Sequence, residues 1–298
     1  MIRRRFWLVT AGVTLIILAG AEVVRNQMKV HRSRQARAAV QDRLRIAATG
    51  EADAGRLAQR RASFDLLKPV GLANCELKRF GEAHDGGYLL CGNLLSGVQA
   101  AYSYGISGYD QWGCDIATAL NVTVHQYDCF DTRQPACPSG KTVFHPECIG
   151  ASAMTTKGRA FDTFRNQFAG NSDQSRRLVV KIDVEGTEWD SFLSAPDGIL
   201  EQIDQMAVEF HWVQDGDGRW LHDDRYIRTV QRLRRFFEIV HVHFNNASCI
   251  SGLEPFPAWA YEVLFVSKRL AVVDPARRAS GLHPLDAPNN PSFPDCQS

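Results

Sequence analysis

A chain of 298 residues with a formal net charge of +1 has room for one large α/β domain plus an N-terminal segment. Its charge balance gives no electrostatic case for nucleic acid as a partner. Eight cysteines, at positions 75, 91, 114, 129, 137, 148, 249 and 296, include no CxxC pair, which excludes a zinc ribbon.

Three arginines, Arg3 to Arg5, precede sixteen uncharged, mostly apolar residues from Phe6 to Ala21, and Val23 and Val24 carry the run past Glu22. Residues 1–24 are therefore expected to form a membrane anchor or signal segment, an uncleaved single span being favoured over cleavage at the AGA of Ala19 to Ala21. Arg3 to Arg5 favour an inside N-terminus, whereas Arg25, Lys29, Arg32, Arg34 and Arg37 favour a cytoplasmic C-side. The expectation is a single-pass membrane protein with its domain on the cytoplasmic face, export or secretion being the alternative. The cysteines lean towards that alternative, since Cys129, Cys137 and Cys148 are close enough to bridge across a loop in an oxidising compartment. Cys91 and Cys114 read equally well as small buried residues.

Residues 25–66 carry ten Lys or Arg against four Asp or Glu, no proline and two glycines. The composition predicts a basic helical stalk or linker over 25–67, or a helix packed on the domain, ended by Pro69.

A domain is expected over 68–270, where short apolar runs alternate with helical stretches. QAAYSYGIS supplies a first strand at 100–105, NVTVHQYD a second ending at Asp128, and KTVFHPE a third. RLVVKIDV is the fourth, QMAVEFHW the fifth, FFEIVHVHF the sixth and YEVLFVSK the seventh. DIATAL, AFDTFRNQF and YIRTVQRLRRF between them have helical spacing or composition. This predicts a seven-stranded, mostly parallel, Rossmann-like sheet with helices on both faces and an antiparallel pair of last strands at one edge. Its count and ending suit a class I methyltransferase better than a dinucleotide dehydrogenase. Residues 271–298 read as an irregular Pro/Asn-rich tail.

In VVKIDVEGTEWDSFL, Val179 to Leu193, a buried strand ends in four acids, and Gly186 permits a turn into a helix. Asp183 and Glu185 fall at the strand's carboxyl end, where open α/β sheets place their ligand crevice. Gly105 and Gly108, after the first strand, can bring backbone close to a ligand. A pyrophosphate cradle is disfavoured, because the third glycine of GxGxxG is missing. Asp128 ends the second strand, where a carboxylate can accept the ribose hydroxyls of a nucleoside, with Asp131 a competitor for that role. Glu209 and His211 share one side of the fifth strand, and His241, His243 and Asn245 share one side of the sixth. If both strands face one crevice, Glu209, His211 and His243 can approach Asp183, a set suited to a divalent metal or to accepting a proton. With no compact motif such as HExxH, no metal ligand is assigned.

KIDVEGTE, Lys181 to Glu188, resembles the signature of FkbM-type S-adenosylmethionine-dependent methyltransferases. FGEAHDGGYLLCG, Phe80 to Gly92, resembles a segment of a branch that includes membrane-anchored or secreted methyltransferase-like proteins, and YEVLFVSK resembles the family's closing strand. The resemblance spans residues 68–268. It implies S-adenosyl-L-methionine as cofactor, with Gly105 and Gly108 at its methionine end, Asp128 on its ribose, and Asp183 and Glu185 beside cofactor and substrate. The chain departs from the family at the glycine loop, where Tyr102 or Ser103 replaces the usual acid and Asp115 stands in for a later one. Methyl transfer to a hydroxyl needs alignment, exclusion of water and a base such as His211 or Asp183. Trp212, Trp220 and the loop 215–223 offer a surface for a hydroxylated small molecule or sugar, and a membrane helix would bring a glycolipid within reach. The alternative is a tethered nucleoside-binding domain without catalysis. Nothing in the sequence sets the oligomeric state.

Overall fold

The computed structural model describes residues 54–211, 224–251, 254–277 and 282–296. The first described element is helix α1 (Ala54–Leu66). Phe64 packs edge-on against Phe256 with ring centroids 5.2 Å apart, and Arg234 donates to the Leu66 carbonyl at 3.1 Å. This part of the basic segment is therefore docked on the domain. A hairpin follows, with β1 (Leu77–Gly81) and β2 (Gly87–Cys91) antiparallel across the HDGG turn.

Strands and helices then alternate: β3 (Ala100–Tyr104), α2 (Gln111–Leu120), β4 (Thr123–Tyr127) and β5 (Lys141–His145). Three short strands, β6 (Cys148–Ile149), β7 (Met154–Thr156) and β8 (Arg159–Asp162), make a small separate sheet. The chain continues through α3 (Phe164–Gly170), β9 (Leu178–Asp183), α4 (Glu188–Ser194), α5 (Asp197–Gln202) and β10 (Ile203–His211). It closes with α6 (Arg225–Leu233), β11 (Phe237–Phe244) and β12 (Ala260–Ser267).

The main sheet has seven strands in the order β11-β12-β10-β9-β3-β4-β5. Neighbours from β5 through β10 are parallel, while β12 runs antiparallel to both β10 and β11. All seven expected strands are present, and the expected antiparallel pair is β11 with β12. The last strand is slotted between the fifth and the sixth, which is the Rossmann-like arrangement of class I methyltransferases.

Side-chain alternation splits the core into two layers. Tyr102, Val180 and Phe210 point to the face covered by α3, α4 and α6; Ala101, Val179 and Ala207 point to the face covered by α2 and the hairpin. Trp189 of α4 stacks on Phe210 with centroids 4.3 Å apart and meets Tyr226 edge-on, fixing α4 and α6 to the sheet. From β3 the chain winds one way to β4 and β5, then returns to build β9 and β10 on the other side. The carboxyl ends of β3 and β9 thus flank a topological switch point, where such sheets open a ligand crevice.

Two expectations about location are corrected. No helix among the described residues is long and apolar enough to cross a membrane, so the single-pass assignment and the membrane as a partner are not sustained. The anchor or signal expected at 1–24 lies outside the described residues. The cytoplasmic face is tied to that span and is not sustained with it; the cysteines form four disulfides: Cys75–Cys91, Cys114–Cys137, Cys129–Cys148 and Cys249–Cys296. Disulfides persist in oxidising surroundings and are rare in the cytosol. Cys91 and Cys114 are buried, as read, but both are bridged.

Candidate functional site

The loop after β3 passes close to the end of β9. Gly105 has φ of 72°, and a Cβ there would lie 1.6 Å from the Asp183 carbonyl oxygen, so only glycine fits. Ser107 and Gly108 also have positive φ, which turns the loop sharply towards α2. Asp110 caps that helix by accepting from the Gly113 N–H at 2.8 Å.

Asp128 organises this loop. One carboxylate oxygen accepts from the N–H groups of Ile106 and Ser107, and the other from those of Phe130 and Asp131. A carboxylate offers about four lone-pair positions, so its capacity is taken up by backbone. Asp131 lies beside Gly108, and Arg133, hydrogen-bonded to it, holds its carboxyl down at about 2. Asp115 accepts from the Gly81 N–H at 2.8 Å and from Gln111 at 2.7 Å, fastening α2 to the hairpin.

The four acids of the motif over 179–193 have separate tasks. Glu188 is fully buried; it accepts from the Gly186 N–H at 2.8 Å and from the His211 N–H at 2.6 Å. Trp189 Nε1 donates to the His211 carbonyl at 2.6 Å, so the start of α4 grips the end of β10 from two sides. Asp190 pairs with Arg225 at the surface. Glu185 is exposed at a left-handed φ of 55°, and Asp183 is partly exposed at the carboxyl end of β9.

Parallel pairing of β9 with β10 sets Glu209 directly beside Asp183, and His211 follows on the same face. His211 Nε2 lies 3.7 Å from Asp183, 3.6 Å from Glu209 and 3.8 Å from Glu185. Tyr88, from the hairpin, has its hydroxyl 3.1 Å from Asp183 Oδ2 and 3.3 Å from Glu209 Oε2. Asn245 donates to Glu209 at 2.7 Å. Lys181 Nζ donates to the carbonyls of Gly105 and Tyr104 and lies 3.6 Å from Asp183, so the one cation of the strand joins the glycine loop to the acids.

Charge crowding sets the electrostatics. Burial would strip His211 of its proton, but Glu188, Glu209 and Asp183 around it hold the imidazole up at about 10. Burial first, then the charge of Asp183, pushes the Glu209 carboxyl well above the usual range. Burial and the same carboxylates keep the Tyr88 phenol protonated. Asp85 is raised too, by burial and then by Asp183.

The expected meeting of Glu209 and His211 with Asp183 is found, whereas His243 lies elsewhere, 3.3 Å from Glu262 and 3.6 Å from Asp295. Tyr88, Lys181 and Glu188 were not singled out by sequence reasoning. Their signals were a tyrosine in DGGYLL, a lysine inside a branched apolar strand, and an acid two residues after Gly186. Trp212, Trp220 and the loop 215–223 lie outside the described residues. The sugar or glycolipid acceptor is not sustained: it leaned on that surface and on a membrane helix, and what gathers at the ends of β9 and β10 is carboxylates with a histidine.

No protein-family model matches the chain, and no curated protein matches it either. Among solved structures it is similar to a Methanococcus jannaschii fibrillarin pre-rRNA processing protein, at 11% identity over 59% of this chain and 69% of that one, with a TM-score of 0.33. So loose a likeness carries no argument, and the fold assignment rests on the strand order above.

Proposed function

We propose that the chain is an S-adenosylmethionine-dependent methyltransferase acting on a hydroxyl of a small molecule, in the manner of the FkbM-type enzymes its motifs resemble. One observation carries the reading: Asp183, Glu185 and Glu209 gather at the switch point of a sheet whose reversed last strand sits between the fifth and sixth. The cofactor would supply a methyl group on a cationic sulfonium. The residues suit such a group, because Asp183 and Glu185 offer negative charge to a sulfonium and an ammonium without any cationic phosphate clamp. Gly105 and Gly108 permit close approach of backbone at the methionine end. With Asp128 committed to shaping the loop, the ribose hydroxyls fall in this reading to Asp131, where they would displace the exposed Arg133 that now occupies both oxygens, and Asp115 acts only by holding α2. On the acceptor side, Asp183 is the partly exposed carboxylate placed to accept the hydroxyl proton, while His211 and Tyr88 orient the oxygen.

The test is turnover. Full-length protein, isotopically labelled S-adenosylmethionine and a panel of phenols and polyols should yield S-adenosylhomocysteine and a labelled ether by mass spectrometry. Asp183→Asn should cut the rate by about 100-fold or more, the usual worth of a positioned base. Label found only on nitrogen, or no turnover with any acceptor, would defeat the O-methyltransferase reading. A second reading, a nucleoside-binding domain without turnover, is favoured by Tyr102 and Ser103 standing where the loop acid is expected. It predicts cofactor binding with no S-adenosylhomocysteine formed.

A further inference from the structure

We infer that Asp183, Glu209 and His211 form a binding site for one divalent transition-metal cation. One donor atom from each of the three lies within 4.8 Å of the others. The separations from His211 Nε2, 3.7 Å to Asp183 and 3.6 Å to Glu209, are too long for hydrogen bonds. They suit separate ligands of one ion, because metal–ligand bonds of about 2.0–2.2 Å put neighbouring donors roughly 3–3.5 Å apart before any adjustment.

The imidazole itself points the same way. His211 is buried, with 5% of its surface exposed, and its Nδ1 has no hydrogen-bond partner among the described residues. The nitrogen turned into the site is the other one, Nε2, which lies beyond hydrogen-bond reach of Asp183, Glu209 and Glu185 and is left for an ion to ligate. Nδ1 faces Glu188 Oε1 at 3.5 Å, and Glu188 is itself fixed by two backbone N–H groups. A metal-bound histidine characteristically turns its other ring nitrogen to such a carboxylate, which sets the tautomer and ring orientation.

Charge and chemistry agree. Two carboxylates and a neutral imidazole balance a dication, and Glu185 Oε2, 3.8 Å from Nε2 on an exposed side chain, is within reach as a fourth ligand. One imidazole among carboxylates suits Mn²⁺ or Zn²⁺ better than Ca²⁺, which takes oxygen ligands. Adjacent parallel strands hold Asp183 and Glu209 in register, so the site is built on the rigid part of the fold. Binding stands on these donors alone. A further role, fixing the oxygen of a hydroxylated acceptor at an open coordination position, rests on the methyl-transfer reading.

Titration of the full-length, metal-free protein with Mn²⁺, followed by calorimetry and by the electron paramagnetic resonance of free Mn²⁺, tests the site. One ion should bind per chain and raise the melting temperature. Glu209→Gln and His211→Ala should each weaken binding at least tenfold, and Asp197→Asn, at the surface pair with Arg232, should leave it unchanged. Variants are compared only where their near-ultraviolet circular dichroism matches wild type, and Asp183→Asn, which preserves side-chain volume, serves if His211→Ala does not fold. Failure of both Mn²⁺ and Zn²⁺ to bind at millimolar concentration, or undiminished binding by Glu209→Gln and Asp183→Asn, overturns the inference. S-adenosylmethionine binding measured on the same samples separates the claims: cofactor bound without metal sinks the cation site alone, and metal bound without cofactor sinks the methyl-transfer reading alone.

Discussion

Asp128 accepts four backbone N–H groups through one carboxylate, and Gly105 lets the same loop pass against the end of β9. Asparagine at 128 would keep one acceptor oxygen and turn an NH₂ group towards two backbone donors. An unpaired buried donor costs about 1–3 kcal/mol, and three of these four are only part-buried, so Asp128→Asn should lower the unfolding free energy by roughly 1–3 kcal/mol, read by urea denaturation. A loss under about 0.5 kcal/mol would mean that the loop does not depend on this residue. Gly105→Ala carries a different penalty, since its Cβ would collide with backbone rather than with a side chain that could turn away. We expect it to cost more than about 3 kcal/mol or to prevent folding, measured the same way; near-wild-type stability would show that the loop and β9 can separate.

At the scale of elements, the tail acts as a strap. Asn289 donates to Glu262 at 2.7 Å, His84 of the hairpin turn lies 2.9 Å from the Pro288 carbonyl, and Asn246 donates to the carbonyls of Asn290, Phe293 and Pro294. The Cys249–Cys296 bridge pins its end. Replacing both cysteines with serine should cost about 2–4 kcal/mol and speed amide hydrogen exchange across 282–296 while leaving β9 and β10 protected. Unchanged exchange in the tail would show that its polar contacts suffice.

The seven main strands were legible because each is a branched or aromatic run of five to nine residues with turn signals at its ends. The small sheet of β6, β7 and β8 was not, because strands of two to four residues carry no periodicity. Pairing of the cysteines was likewise closed to sequence, since eight cysteines allow 105 connectivities. At the site, Asp183, Glu209 and His211 could be brought together from alternation and strand ends alone. That Glu188 is buried while Glu185 is exposed could not, because it depends on how α4 docks on β10.

For the whole molecule, one source of acid sensitivity away from Asp183 and its neighbours lies at His125. It packs against Tyr102, sits 3.4 Å from Asp173 and 3.1 Å from His145, and feels Arg176 and Lys141. Burial depresses its imidazole to about 4, the neighbouring Asp173 only partly opposing. An unfolded histidine titrates near about 6.5, so between these values the unfolded chain binds more protons and stability rises with pH. The contribution is complete above about 6.5 and is lost as pH falls towards 4, amounting to about 3 kcal/mol at most. Urea denaturation at several pH values should show that slope, and His125→Gln should flatten it; an unaltered slope in the variant would assign the acid sensitivity elsewhere.

The central claim is that the carboxyl ends of β3 and β9 take S-adenosylmethionine, and equilibrium binding to folded full-length protein by calorimetry tests it most directly. The account predicts saturable heat at one site per chain with S-adenosylmethionine, competition by S-adenosylhomocysteine, no binding of NAD, and loss of affinity in Asp131→Ala. Absence of heat and of competition in protein that melts cooperatively, or preferential binding of NAD, would contradict it.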